Sequence, residues 1–248
     1  MPILTEFELD LEYIADNDYI SKLMNENGWE YYEATRYDYE KNWKDKRVKL
    51  RDEMRCIAAL YERFFNINRF KNDKCWKITV QAVDRIHNKD IKTIGGVTEV
   101  QVVFDIENYF MLEEYEKKRI ILEALKTGID LVVNKEGWDN EIFDQAYQDV
   151  IHADYLNHYI WQSKSSPSRK YKAEVFCEHE ISTFDISINI KNQKGEEIKN
   201  VKVISERPNE RSFVSHLGSL KWISGDEVAL ISAGKTKQWT VKVSFGVE

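Results

Sequence analysis

Asp84, Glu99, Gln101 and Asp105 are the side chains of this 248-residue chain whose types and spacing could do chemistry. Asp84 falls at the end of one apolar alternation (Trp76, Ile78, Val80, Ala82). Glu99 and Gln101 lie two apart on the outward side of the next (Val100, Val102, Phe104, Ile106), with Asp105 further along. Carboxylates projecting from neighbouring strands could hold a magnesium ion beside a phosphate and so activate water. A second pair, Cys177 and His179, is also two apart and shares one face of a strand, a spacing that could set a thiol beside its base. No acid shares that face, since Glu178 and Glu180 alternate to the other one, and no helix start is near, so packing is its expected role. His152 and His158 are six residues apart on a predicted helix, roughly 600° of turn, and cannot chelate one ion together. The sequence contains no G-x-x-x-x-G-K, G-x-G-x-x-G, H-E-x-x-H or G-x-S-x-G motif.

The layout of Asp84, Glu99, Gln101 and Asp105 resembles that of restriction-type metal-dependent nucleases. The resemblance implies phosphodiester hydrolysis with Asp84 and Glu99 at the metal. It departs from the family pattern at Gln101, where a lysine is expected, and its surroundings are not basic. Alternating polar residues are also what any half-solvated sheet shows. The nuclease reading is therefore kept as the alternative.

The leading reading rests on charge. The first forty residues hold eleven Asp or Glu against two Lys or Arg, more than the whole chain's net of −7. A broad nucleic-acid surface needs clustered cations, so this distribution argues against one and suits a basic protein partner. The same region carries Trp29, Tyr31, Tyr32, Tyr37, Tyr39 and Trp43 interspersed with Glu33, Asp38 and other acids. Packed rings over a core with acids in water is the plain interpretation. The functional one is a contact surface, since Tyr and Trp are enriched at interfaces and acids steer a cationic partner. Its expected form is a non-catalytic protein-binding protein, of the kind a bacterial inhibitor or immunity protein represents, contacting its partner through Trp29, Tyr31, Tyr32, Glu33, Tyr37, Asp38, Tyr39 and Trp43. That reading calls for no cofactor and no metal.

The elements that position these residues are partly legible. Phe7, Leu9 and Leu11 alternate with acids as in an edge strand. Asp16 can cap a short helix that Asn27-Gly28 ends. Leu50, Met54, Ile57, Tyr61 and Phe64 predict one helix over 46–65, and residues 76–82 and 100–106 predict two adjacent antiparallel strands. Tyr115, Leu122, Leu125, Ile129 and Val132 predict a long helix stopped at Gly137, and Ile142 to Ile160 predict a second one packed antiparallel to it.

The polar run 162–169, with one of three prolines, reads as a linker. It divides an α+β domain over 1–161, a small antiparallel sheet covered by helices, from an all-β sandwich or barrel-like domain over 170–248. Six strands are expected in the latter, the last with Trp239, Val241, Val243 and Phe245 facing inward. No apolar run is long enough to span a membrane, the opening residues lack a secretory pattern, and three scattered cysteines match reduced thiols. A cytoplasmic protein is expected.

Overall fold

The computed structural model describes residues 1–243, so Phe245 lies outside the described residues. The protein is a mixture of helices and sheets, with helices concentrated in the N-terminal part and antiparallel sheets in the C-terminal part. It divides into two compact units, Met1–Tyr155 and Leu156–Glu248.

In the first unit, β1 (Glu6–Leu11), β2 (Lys77–Val83), β3 (Lys92–Ile94) and β4 (Val97–Val103) form one sheet in the order β1-β2-β4-β3. Here the expectation fails: β2 and β4 are adjacent but parallel, as are β1 and β2, and antiparallel pairing is confined to β3 and β4. The reason lies in Gly95-Gly96. Their φ values of 60° and 81° are those of a two-residue type I′ hairpin turn, and the turn joins β4 to the three-residue β3, too short to give a periodic signal. Once β3 occupies the antiparallel position beside β4, the chain from β2 must enter β4 in the same direction as it left.

Alternation places Phe7, Leu9, Ile78, Val80, Val100 and Val102 on one face, all buried. That face packs on α4 (Arg55–Phe65) and the long α6 (Glu114–Glu136), and α7 (Glu141–His152) packs on α4. α6 comes especially close to β2, because Gly128 sits on Val80 with no room for a side chain. Before α4 come α1 (Asn17–Asn27), α2 (Tyr31–Asp38), a π-turn over Tyr39–Trp43 and α3 (Lys44–Glu53). The single helix expected over 46–65 is thus two, interrupted at buried Met54. α5 (Ile106–Met111) follows β4. β1 is an edge strand, and α4 closes that edge: Phe7 N–H donates to Glu62 Oε1 (2.9 Å), and Arg55, paired with Glu62, donates to the Phe7 carbonyl (3.4 Å).

The second unit begins earlier than the sequence indicates. α7 ends at His152, Asp154 and Tyr155 take positive φ values of 50° and 57°, and residues 157–165 form β5 (Asn157–Ser165). The polar run read as a linker is accordingly the end of a strand plus its hairpin turn. Tyr171 N–H donates to Ser166 Oγ (3.1 Å), and Arg169 N–H donates to the Ser166 carbonyl (2.8 Å). Tyr155, Tyr159, Ile160 and Trp161 satisfy helical and alternating patterns alike, so spacing alone could not separate them. β5 pairs antiparallel with β6 (Tyr171–His179), which continues to β7 (Phe184–Asn192) and β8 (Glu197–Glu206). β9 (Ser219–Trp222), β10 (Glu227–Ile231) and β11 (Gln238–Lys242) form a second antiparallel sheet. Val175, Phe184, Ile186 and Ile188 from one sheet join Leu220, Val228, Leu230 and Val241 from the other in one hydrophobic core. Among the described residues no helix is long and apolar enough to cross a membrane.

Candidate functional site

Parallel strands that run side by side end on the same side of their sheet, and in open sheets the crevice outside those carboxyl ends is where ligands bind. The first unit has a groove of about 880 Å³ there. Leu11 and Glu12 end β1, Val83 and Asp84 end β2, and Val103 to Asp105 end β4. The start of α1, the loop residues Arg85 and His87, and Trp43 complete the wall. Asp84 and Asp105 thus line one groove, and Glu12, Asp16 and Trp43 join them through tertiary contacts that no local pattern announces.

Each carboxylate is locally held. Asp84 Oδ1 accepts from His87 Nε2 (3.2 Å) and from the Arg85 amide (2.8 Å), and these bonds, His87 foremost, keep its carboxyl below the usual carboxylate range. Asp105 caps α5 by accepting from Asn108 N–H (3.0 Å), and Asp16 caps α1 by accepting from Asp18 and Tyr19 N–H (3.0 and 3.2 Å).

Gln101 and Glu99 are placed differently from the nuclease layout. Gln101 is only 8% exposed. Its Oε1 accepts from the amides of His87 (2.9 Å) and Asn88 (2.8 Å), and its Nε2 donates to Glu12 Oε2 (2.5 Å). It therefore clamps the β2–β3 loop and cannot take the part of a lysine at a phosphate. Glu99 stands two residues before Gln101 on β4, opposite Thr79 and Lys92, and is not part of the groove wall. Among the described residues no group of three or more His, Cys, Asp and Glu side chains is placed to hold a metal ion.

The aromatic segment is helical, and its faces are not those the ring count implies. The inward positions of α2 are Ala34 and Asp38, one turn apart, whereas Tyr31, Tyr32 and Tyr37 are 54%, 70% and 37% exposed. Glu33 is exposed too, closing a reciprocal cap with Glu30 at the start of α2. Asp38, 4% exposed, cannot meet a partner: it accepts from Tyr13 Oη (2.8 Å) and Asn42 Nδ2 (2.7 Å). Trp29, Tyr39 and Trp43 are half-buried. Trp29 leans on Tyr37 (5.1 Å between ring centres), and Tyr13 packs edge-on against both Tyr39 (5.5 Å) and Trp43 (5.6 Å). Tyr13, absent from the sequence reading because it stands apart from the cluster, is what links α2 to the groove. Burial, aided by Asp38, raises its hydroxyl well above the ordinary tyrosine range.

The acidic surplus of the first forty residues is partly cancelled in place. Asp10 receives a two-pronged contact from Arg47 (2.9 and 2.5 Å), and Glu8 is paired with Arg51 (3.2 Å) and Lys77. Glu40 pairs with Arg36 at 3.1 Å. What stays open is concentrated around α2 and at the groove.

The Cys177 and His179 pair is structural. Cys177 is buried and its thiol is pushed up to about 12 by that burial. His179 is fixed by Nε2 against the Pro208 carbonyl (2.8 Å) and stacks edge-on with Phe184 and Phe213. Compared with models of protein families, with curated proteins and with solved structures, the chain matches none.

Proposed function

We propose that this chain is a non-catalytic protein-binding protein, of the inhibitor or immunity kind found in bacteria, whose first unit presents an acidic, aromatic surface to a basic partner such as a toxin or a nucleic-acid enzyme. One observation carries the reading: Tyr31 and Tyr32 stand largely in water and Tyr37 partly so on a single short helix, beside the exposed acids Glu30 and Glu33, whereas Glu40 is held by Arg36 and the Tyr37 hydroxyl by Lys41. Three large rings on one helix lose contact with water only if something covers them, and tyrosine is among the side chains that dominate binding energy when buried at an interface. The neighbouring carboxylates raise the encounter rate with a cationic surface. The second unit is read as a β-sandwich from its two sheets sharing one core.

The test is capture of partners from the native host by the tagged chain at low and high salt. A basic protein should be retained at low salt and released as salt rises. Replacing Tyr31, Tyr32 and Tyr37 with serine, all at exposed positions, should weaken retention by roughly a hundredfold, the scale of two or more truncated anchors. Recovery of no basic protein at either salt concentration would count decisively against the reading.

A further inference from the structure

The groove at the strand ends differs in character from the α2 surface, and its composition bears on what enters it. Its floor is apolar, formed by Leu11, Ile14, Val83, Val103 and Phe104. Its wall carries Glu12, Asp16, Asp18, Asp84, Asp105 and Glu107 against one fixed cation, Arg85. Lys46 pairs with Glu107 and removes one of these charges from account. The start of α1 and the start of α5 point partial positive charge toward the same space, but Asp16 and Asp105 already occupy their free amides. The remaining field is negative over an apolar base, with the Trp43 ring at one side.

We infer that this groove receives a lysine- or arginine-bearing segment of the basic partner, a deepening that rests on the protein-binding reading above. Both side chains have an apolar stem and a charged head. The stem lies along the apolar lining that reaches the surface, Val103 and Ile14, the head reaches Glu12, Asp84 and Asp105, and Trp43 offers a ring face to the cation. The volume, about 880 Å³, exceeds one side chain and takes a short stretch of extended chain, within the usual range for bound ligands of roughly 300–1,000 Å³. Tyr13 joins this groove to α2 through its contact with Trp43 on one side and its hydrogen bond to Asp38 on the other, so one partner can engage both.

The probe is a fluorescein-labelled peptide of alternating lysine and leucine, titrated with the full chain and followed by anisotropy, with a glutamate-for-lysine peptide as its counterpart. The groove is neutralised isosterically by Glu12→Gln, Asp84→Asn and Asp105→Asn, each of which keeps the hydrogen-bond acceptor in place. A control chain carries Glu26→Gln, Glu114→Gln and Glu141→Gln, outside the groove wall. Binding of the lysine peptide should fall about tenfold or more in the groove variant, at about two- to fivefold per partly exposed charge, and stay within about twofold of wild type in the control. Trp43→Leu should cost about a further threefold. Equal loss in both neutralised chains, equal binding of the glutamate peptide, or no binding of the lysine peptide at low salt would each overturn the assignment. So would displacement of the peptide by magnesium at an ionic strength where sodium has no effect, which would make the groove an inorganic cation site. If host capture is lost on replacing the tyrosines but unchanged in the groove variant, the protein-binding reading stands and the groove leaves it.

Discussion

Replacing Gln101 distinguishes a structural clamp from a displaced catalytic lysine. In Gln101→Ala two loop amides lose their acceptor and Glu12 loses its donor. Each neutral hydrogen bond contributes about 1 kcal/mol net and one to a charged group about 1.5–3. Because His87 and Asn88 are exposed, their amides recover bonds to water, so the total should fall at about 2–3 kcal/mol rather than at the sum of the maxima. The loss is local to the first unit, and a chain of two compact units need not unfold in one step. Amide hydrogen exchange at His87 and Asn88 is accordingly the sharper assay, with denaturant unfolding as support. Gln101→Ala should raise exchange there by at least tenfold. Gln101→Lys, which would complete a nuclease-like layout, should also lose slow exchange, because a donor then faces two donors. Exchange in Gln101→Ala within about twofold of wild type would refute the clamp.

Other consequences are open to simple measurements. Gly128→Ala gains about 1 kcal/mol of helix propensity, but its methyl would stand 2.7 Å from Val80 Cγ1 and closer to Cγ2. Overpacking of about 1–3 kcal/mol should win and lower Tm, and a higher Tm would mean that the close approach of α6 and β2 is not what fixes this glycine. The thiols of Cys56, Cys75 and Cys177 are buried, so a thiol reagent should label none of them until denaturant is added. Fast labelling of Cys177 would contradict the burial that raises its pKa. Glu174 sits between Lys172 (2.7 Å) and Lys191 (2.8 Å). Burial pushes its carboxyl up, but the two lysines prevail and hold it below the usual range. A depressed folded pKa gives stability that is present above the unfolded value, about 4.3, and is lost as pH falls through the folded one. Glu174→Gln should therefore destabilise at neutral pH and flatten the acid limb of the stability profile, and an unchanged limb would show that the lysines do not hold the charge.

The sequence announces an element wherever its signal is local. Asp16 and Gly28 cap α1 and Gly137 ends α6 as their residue types imply, and the alternation of Phe7, Leu9 and Leu11 is the buried face of β1. What escapes is set by partners distant in the chain. The direction of β4 is decided by β3, three residues long, and the strand character of Tyr159 and Ile160 is decided by pairing with Cys177 and Phe176. The same holds at the site. Counting rings in 29–43 identifies the segment but not its faces, because α2 turns inward on Ala34 and on an aspartate whose partner is Tyr13. Asp84 could be placed at a strand end from its own surroundings, but Asp105, read as part of a strand over 100–106, lies past the end of β4 and caps α5. Glu12 becomes their neighbour only once β1 lies parallel to β2.

That outer margin of β1, shut by Arg55 and Glu62, also limits how copies of the protein can meet. A bare strand there would offer its backbone to any extended peptide, including the same strand of another molecule. Two oppositely charged side chains take up the N–H and the carbonyl of Phe7, so truncating either one would bare a backbone group at which another strand could begin to pair side by side with β1.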